Sequence, residues 1–452
     1  MDRTSGTHPR RWACLVFAAL LGLAPGCNTI EGLGADLRSI GGDGSAERTP
    51  RPAPDGAAPA DRDGEAERGA YTPLGPAISR DEPLRGIWVT RWDYRTPEDV
   101  RTIMRNIAQA GFTDVFWQVR GQADAYYDSD LEPWGELLFR ESSGDTTRPS
   151  ETEVRRGPGW DPLASAARAA RGRGLRLHAW MNVMPLWKGT AEPVSRDHPY
   201  RARTAWRLKD DTGRDQALNE HYVIANPVLD AVHDHLGAVT RDLATRYDLD
   251  GIHLDYIRFI SESLDADRWY PGDAVSRALY REAMGLGAGD AIEPAAMRAW
   301  VRTRITDLVG RIAEEARRAR PGIMVSAAVW RRPDLARDQQ LQDAARWARL
   351  GTIDAVMPMM YHDDDAAYRS DLLAWSTAVS RRGSLVPGVG VYKHDSGRQT
   401  VGQVNMHAED DRFVLFAYSS LWHSAAPGSA DTPEAESERL RRRVPLRAIL
   451  RD

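Results

Sequence analysis

One short stretch places chemically active side chains inside what is otherwise a buried strand. In DLDGIHLDYIRF, residues 248–259, apolar and polar residues alternate as they do along a strand with two different faces. One face would carry Ile252 and Leu254, and the other would carry Gly251, His253 and Asp255. A carboxyl group that is partly removed from water beside Arg258 can have its pKa moved in either direction. Asp255 is therefore our first candidate for acid–base or nucleophilic chemistry.

If Asp255 acts as an acid or a nucleophile, a second carboxyl group is expected opposite it, as in the hydrolysis of a glycosidic bond. The strand that ends in AAVW at Trp330 supplies no acid, so the partner must come from elsewhere. Asp363, directly after a later strand, is the preferred partner of Asp255. Since HDDDAAY also resembles a helix start, capping of that helix is the alternative role for this acid. The fallback candidates for the second carboxyl group are Asp364, Asp124 and Glu220.

Polar and aromatic side chains also end several other predicted strands, where they could contact a substrate. The predicted substrate-binding residues are Gln118, Arg120, His178, Trp180, Asn182, His253, Arg258, Trp330, Tyr361 and Tyr392. Each has a structural alternative: the histidines could be satisfied interior residues, the arginines could balance buried acids, and the tryptophans could be core. Trp187 and Trp422, also close behind strand ends, are further candidate sugar platforms with the same alternative.

The pattern of apolar runs indicates the elements that would position these residues. Eight short, β-rich runs alternate with amphipathic segments such as PEDVRTIMRNIAQAG, which has Pro97 in its first turn and Gly111 at its end. The predicted strands are 85–90, 113–120, 175–182, 250–256, 323–330, 353–361, 385–392 and 413–420. Eight such alternations predict an α/β fold, a (β/α)8 TIM barrel. A doubly wound sheet is the runner-up, but the first strand leads into TRWDY instead of a glycine-rich turn.

Composition limits the partners of the chain. Its 452 residues carry a net charge of -5, without a basic stripe that would follow phosphates, so nucleic acid is not an expected partner. Fifteen tryptophans against seven phenylalanines favour stacking on sugar faces. Insertions of about forty residues after the second and third strands are typical of loops that build a cleft for a polymer.

The N-terminal segment has the pattern of an export signal. Two arginines precede an apolar run, 12–24, that is too short to span a bilayer, and the end of this run is part of LAPGC, residues 23–27. LAPGC resembles a bacterial lipobox, which predicts lipidation of Cys27 and attachment to a membrane; ordinary signal cleavage or an uncleaved anchor is the alternative. Only Cys14 and Cys27 exist, so disulfides and thiol chemistry are excluded from the globular part.

Composition shifts divide the chain into four predicted parts. A signal peptide, 1–27, is followed by a flexible linker, 28–82, rich in Pro, Ala, Gly, Asp and Arg. The barrel is predicted over 83–428, and a charged helix over 429–452. A tether behind a lipidated cysteine would hold the barrel near a membrane, at the periplasmic face or elsewhere in the cell envelope.

Several motifs together resemble a known family. They occur in order as RGIWVTRWD, GFTDVFWQVRGQADAYY, LDGIHLDYIRF, VMPMMYH, PGVGVY and FAYSS, over Leu84 to His423. This combination is similar to the glycosyl-hydrolase-like family 10, also known as the domain of unknown function 187 type. The resemblance implies an exported TIM-barrel glycoside hydrolase acting on peptidoglycan glycan strands, with Asp255 in the active site near Gln118, Arg120 and Tyr361. Many relatives carry a second acid directly after that aspartate, where this chain has Tyr256.

Two other functional classes remain as alternatives. A metal-dependent barrel hydrolase could use His178, His253 and Asp255 as ligands, although no H-x-H pair occurs on the first strand. A non-catalytic glycan-binding lipoprotein could have kept the aromatic cleft and lost one acid. The favoured hypothesis is a glycoside hydrolase with paired carboxylates and no cofactor.

Overall fold

The computed structural model describes residues 82–140, 147–260, 262, 264–379, 383–407 and 411–450. The predicted signal peptide, Cys27 and all of the predicted linker except Glu82 lie outside these residues. Within the described residues, no helix combines the length and the apolar character needed to cross a bilayer.

The described residues form ten strands in two sheets. They are β1 Leu84–Val89, β2 Asp114–Arg120, β3 Arg176–Asn182, β4 Pro185–Lys188, β5 Tyr222–Ile224, β6 Gly251–Asp255, β7 Met324–Val329, β8 Ala355–Pro358, β9 Gly388–Gly390 and β10 Arg412–Phe416. Each of the eight predicted strands is confirmed, with ends that differ by up to four residues. The antiparallel pair of β4 and β5 was not predicted; it lies within the insertion after β3.

The eight predicted strands form one parallel sheet in the order β8-β7-β6-β3-β2-β1-β10-β9. Two parallel bridges, Val356 to Leu385 and Met359 to Gly388, then link β8 to β9 and its approach. The ring of strands is thus completed by isolated bridges instead of a continuous ladder. This architecture confirms the predicted TIM barrel, whose active sites lie at the C-terminal ends of the strands.

In the part of the chain that the structure describes, thirteen α-helices surround or cap the barrel. They are α1 Pro97–Ala110, α2 Glu151–Arg156, α3 Pro162–Arg171, α4 Pro199–Ala202, α5 Asp230–Arg246, α6 Ala274–Met284, α7 Pro294–Ala319, α8 Pro333–Asp338, α9 Ala344–Arg349, α10 Asp365–Ala378, α11 Gly397–Asn405, α12 Pro433–Arg443 and α13 Arg447–Leu450. The first shows why sequence predicts such elements: Thr96 and Asp99 form a capping box, and Gly111 ends the helix with φ of 99°. The charged C-terminal segment is helical, as α12 and α13.

Alternation along the strands separates two buried layers. One layer fills the barrel and includes Trp88, Phe116, Trp180 and Met357. The other packs the outer faces of the strands against the helices, and there Ile252 and Leu254 of β6 are fully buried. The polar face of β6 therefore points into the barrel, as the alternation predicted.

Candidate active site

Asp255 is the last residue of β6 and lies at the C-terminal end of the barrel. It pairs in register with Asn182 of β3 and is 5% exposed. Tyr256, which follows it, has φ of 48°, so the chain turns sharply at the point where the carboxyl group is presented. Burial raises the pKa of the Asp255 carboxyl, while the Arg258 guanidinium and hydrogen bonds oppose that shift.

Four predicted substrate-binding residues lie around this carboxyl group. Arg258 Nη1 lies 3.3 Å from Asp255 Oδ1, and its guanidinium lies over the ring of Trp330, 5.3 Å from the centroid. The Trp180 side chain is one of the groups that oppose the rise in the pKa of Asp255. Its Nε1 donates to Asn182 Oδ1 at 3.1 Å. The ends of β3, β6 and β7 therefore combine one acid, one cation, one amide and two indoles.

A second group of aromatic side chains lies on the opposite side of the strand ring. Tyr361 stacks on Phe416 at 5.3 Å and meets Tyr392 edge-on at 6.0 Å. Trp88 contacts both Tyr361 and Phe416, at 6.4 and 6.0 Å. The predicted residues Tyr361 and Tyr392 are thus brought together. Phe416 and Trp88 were not predicted as site residues; in the structure Phe416 is the last residue of β10, and Trp88 lies one residue before the end of β1.

The two histidines lie inside the barrel rather than around Asp255. Trp88 donates from Nε1 to His253 Nε2 at 3.0 Å, so Nδ1 of the neutral ring carries the proton and donates to Ser326 Oγ at 2.9 Å. Burial lowers the pKa of His253, which favours this neutral form. His178 bonds to Asp114 at 2.9 Å and stacks on Phe116. These contacts support the alternative of satisfied interior histidines.

Arg120 forms an ion pair with Glu132, which lies in the loop that follows β2. Its Nε and Nη2 donate to the two carboxylate oxygens of Glu132 at 2.8 and 2.7 Å, and Nη1 donates to the carbonyls of Asn182 and Val183. The pKa of the Glu132 carboxyl is lowered to about 2 against the cost of burial, by Arg120 and His235. The arginine therefore balances a buried acid, which was its structural alternative.

Gln118 also has a structural role at the end of β2. Its Oε1 accepts the main-chain N–H of Arg91 at 3.0 Å, and its carbonyl accepts the Tyr94 hydroxyl at 3.0 Å.

Trp187 and Trp422, both proposed as sugar platforms, are buried: Trp187 donates to the Ala191 carbonyl, and Trp422 stacks on Tyr418.

The candidates for a second carboxyl group differ in burial and in the hydrogen bonds that their carboxylates already make. Both oxygens of Asp364 accept N–H groups of α10, so Asp364 is the helix cap. Asp124 is buried, and its Oδ1 accepts the N–H groups of Gly121 and Gln122. Glu220 is exposed between β4 and β5. Asp363 is exposed as well, and its carboxylate makes no hydrogen bond or ion pair with the described residues.

Sequence reasoning missed a contribution from β1 and the β4–β5 hairpin. Arg91, two residues after β1, donates from Nη2 to the Tyr222 hydroxyl at 3.1 Å. The Tyr222 ring meets Tyr256 at 5.0 Å, and Arg258 lies over Tyr256 at 4.2 Å. The signal for Arg91 was present, because it follows a predicted strand as directly as the residues that we selected. Nothing in the sequence indicated that the insertion returns to this place.

The ligand set of the metal alternative does not converge. Both ring nitrogens of His253 are used by Trp88 and Ser326, and His178 is bonded to Asp114. Across the part of the chain that the structure describes, no group of three or more His, Cys, Asp or Glu residues is arranged to hold a metal ion.

Comparison with solved structures shows the fold. An α-L-fucosidase, isoenzyme 2 from Paenibacillus thiaminolyticus, matches over 81% of this chain and 50% of its own, with 12% identity and a TM-score of 0.52. The catalytic domain of a β-amylase from Paenibacillus polymyxa matches over 79% of this chain and 97% of its own, with 10% identity and a TM-score of 0.50.

Comparison with protein sequences shows the family. Glycosyl hydrolase DigH of Escherichia coli K12 is 24% identical over 354 residues, which cover 69% of this chain and 74% of DigH. Glycosyl hydrolase YngK of Bacillus subtilis 168 is 24% identical over 340 residues, which cover 67% and 59%. The pattern of the family described as glycosyl hydrolase-like 10 matches residues 83–394. With this match over more than half of its length, the chain belongs to the glycosyl hydrolase-like 10 family, a membership that supports a glycosidase-type function.

Proposed function

We propose that this protein is a glycoside hydrolase that cleaves a cell-envelope polysaccharide, with peptidoglycan glycan strands as the favoured substrate. The observation that carries the proposal is the position of Asp255, a nearly buried carboxyl group at the C-terminal end of a barrel strand in a glycosyl hydrolase-like family. In TIM barrels this end of the strands carries the chemistry. Family membership supports the reaction class, and the substrate is part of the proposal.

The surroundings of Asp255 suit a proton donor. Burial disfavours its charged form, and a carboxyl group with a raised pKa keeps its proton nearer to neutral pH. That proton would go to the oxygen of the leaving sugar as the glycosidic bond breaks. Arg258, 3.3 Å from Oδ1, would stabilise the carboxylate formed by this transfer.

Asp363 is the second group in this proposal. Its exposed carboxylate is not engaged by the described residues, unlike that of the neighbouring Asp364. A carboxylate that no neighbouring side chain engages is available to act as the base or nucleophile of the reaction. Asp363 would activate water or attack the anomeric carbon directly.

The aromatic residues at the mouth support a carbohydrate substrate. Trp180 and Trp330 lie near Asp255, and Tyr361 and Tyr392 lie across the ring of strands. Flat rings at several strand ends can hold successive sugars of a polymer. Export and lipidation at Cys27 complete the proposal, because a linker of about fifty residues would let the barrel reach envelope glycans from a membrane.

The test measures release of reducing ends from purified glycan strands by the full-length protein in detergent. Replacing the general acid, Asp255→Asn, is expected to lower the rate by about 10²- to 10⁴-fold. Asp363→Asn is expected to lower it comparably. Asp364→Asn is the matched control, because asparagine caps a helix as well as aspartate does and should leave the rate unchanged. A wild-type rate equal to that of Asp255→Asn would refute the hydrolase proposal.

Two observations favour a non-catalytic glycan-binding protein as the second candidate. The family resemblance implies a second acid directly after Asp255, where this chain has Tyr256, and the Asp363 side chain is exposed. Binding of glycan strands without release of reducing ends, by wild type and Asp255→Asn alike, would select this candidate. Loss of hydrolysis after chelation, with recovery on adding metal, would instead select a metal-dependent hydrolase.

A further inference from the structure

Arg91 is a buried arginine with few partners. It is 3% exposed, its Nη2 donates to the Tyr222 hydroxyl, and its guanidinium lies over the Trp92 ring at 4.8 Å. Its Nε is buried without a hydrogen-bond partner. No carboxylate of the described residues lies within 4.0 Å of the Arg91 guanidinium, the limit for an ion pair.

This lack of a carboxylate partner is costly for a group that stays charged at any physiological pH. Other buried arginines of the described chain are better matched: Arg120 pairs with Glu132, Arg258 with Asp255, and Arg320 with Asp248. Arg95, which is also buried, donates to three main-chain carbonyls.

Asp124 attracts Arg91 electrostatically, but the two side chains are too far apart to form an ion pair. Asp124 Oδ1 already accepts two main-chain N–H groups, from Gly121 and Gln122. The guanidinium of Arg91 therefore keeps unused donors in a place from which water is largely excluded. A buried donor without an acceptor is a feature that a bound anion would satisfy.

Two series of contacts connect Arg91 to the Asp255 site. A side chain added at Gly121 would come within 2.7 Å of Arg91 Nε, and the Gly121 carbonyl accepts from Asn182, the register partner of Asp255. On the other side, Tyr222 connects Arg91 to Tyr256, next to Asp255 in the chain. Arg91 follows β1, which lies three strands from β6, or about 14 Å along the sheet at ~4.8 Å per strand.

We propose that the Arg91 guanidinium binds a carboxylate of the glycan, so that the preferred substrate carries an acidic sugar at the same end of the barrel as the cleavage site. This inference rests on the proposed function and names the chemistry of its substrate. The planar guanidinium matches a carboxylate with two parallel hydrogen bonds, and the low dielectric around it strengthens them. The carboxylate would replace the hydroxyl of Tyr222, a partly exposed residue of the β4–β5 hairpin. Glycan strands freed of peptides carry such a carboxylate on every second sugar.

The experiment compares one glycan in two forms. Full-length Asp255→Asn protein would be titrated with peptide-free glycan strands and with the same strands after reduction of their carboxyl groups to alcohols. The acidic form is expected to bind at least about tenfold more tightly. Adding Arg91→Gln should bring the ratio of the two Kd values close to one. Arg91→Lys, which keeps the charge without the planar fork, should give an intermediate ratio.

Arg203→Gln is the matched control, because Arg203 is an exposed arginine that also lies over a tryptophan, Trp206. It removes the same charge and should leave the ratio unchanged. A ratio near one for the parent protein would overturn the inference. Equal weakening of both forms by Arg91→Gln, in protein that circular dichroism shows to be folded, would also overturn it.

The same measurements separate this inference from the proposed function. Discrimination between the two glycan forms without hydrolysis by the wild type would refute the function and leave the carboxylate site standing. Hydrolysis with equal affinity for both forms would refute the carboxylate site alone.

Discussion

Replacing Glu132 by glutamine tests whether Arg120 is a structural clamp or a substrate contact. Glu132 has a fully buried side chain, and its two oxygens accept from Nε and Nη2 of Arg120. The fall of its pKa from 4.5 to about 2 corresponds to about 3 kcal/mol, since one pKa unit is worth ~1.36 kcal/mol. Removing the charge would leave Arg120 buried and unmatched, which costs about 3 to 5 kcal/mol by itself. We therefore expect Glu132→Gln to lower the free energy of unfolding by about 3 kcal/mol.

The assay is guanidinium denaturation of full-length wild type and variant, followed by the fluorescence of the tryptophans. The wild-type advantage should be complete above pH 4.5, the ordinary pKa of this carboxyl, and should decrease as the pH falls towards 2, because a lowered pKa stabilises the ionised folded state. Glu98→Gln is the matched control. Glu98 pairs with Arg101 in an exposed ion pair, so its replacement should leave the midpoint unchanged.

One combination of results would show that Arg120 is not a structural clamp. If Glu132→Gln unfolds at the wild-type midpoint but cleaves glycan strands more than a hundredfold more slowly, then Arg120 contributes to the reaction and not to the fold. The clamp predicts the reverse, because Arg120 donates to the carbonyls of Asn182 and Val183 and so holds the chain at the end of β3.

Three further predictions concern the site and the pH dependence of stability. Gly390→Ala would place a methyl group 2.7 Å from Tyr361 Cβ, so it should displace this tyrosine and weaken glycan binding severalfold; Gly402→Ala, where no atom lies within 4 Å, should leave the Kd unchanged. Trp330→Ala should weaken binding about tenfold in the same titration, because it removes both a ring face and the support of Arg258. Burial lowers the pKa of His198 to about 3, so the unfolded chain takes up a proton below 6.5 that the folded chain does not. Stability should therefore fall by up to about 2 kcal/mol between pH 6.5 and 5, and His198→Asn should reduce that dependence in denaturation measured at both pH values.

The sequence was sufficient to predict the barrel because local residue patterns indicate each of its strands and helices. Alternation of apolar residues marked all eight strands, and Pro97 and Gly111 marked the beginning and the end of α1. The same alternation assigned Asp255 to the inner face of β6, since the side-chain period of a strand is fixed by the backbone. These inferences needed no knowledge of distant residues.

The roles of individual side chains depended on contacts between residues far apart in the chain, which only the tertiary structure decided. His253 is fixed by Trp88, 165 residues away, and Tyr222 reaches Arg91 from 131 residues away. Asp363 and Asp364 have the same chemistry and adjacent positions, yet only Asp364 has its oxygens over the first turn of α10. Local sequence sets backbone periodicity, whereas burial and hydrogen-bond partners are set by which loops meet at the mouth of the barrel. For this reason the sequence identified the strand that carries the acid, and the fold identified the buried, unmatched arginine beside it.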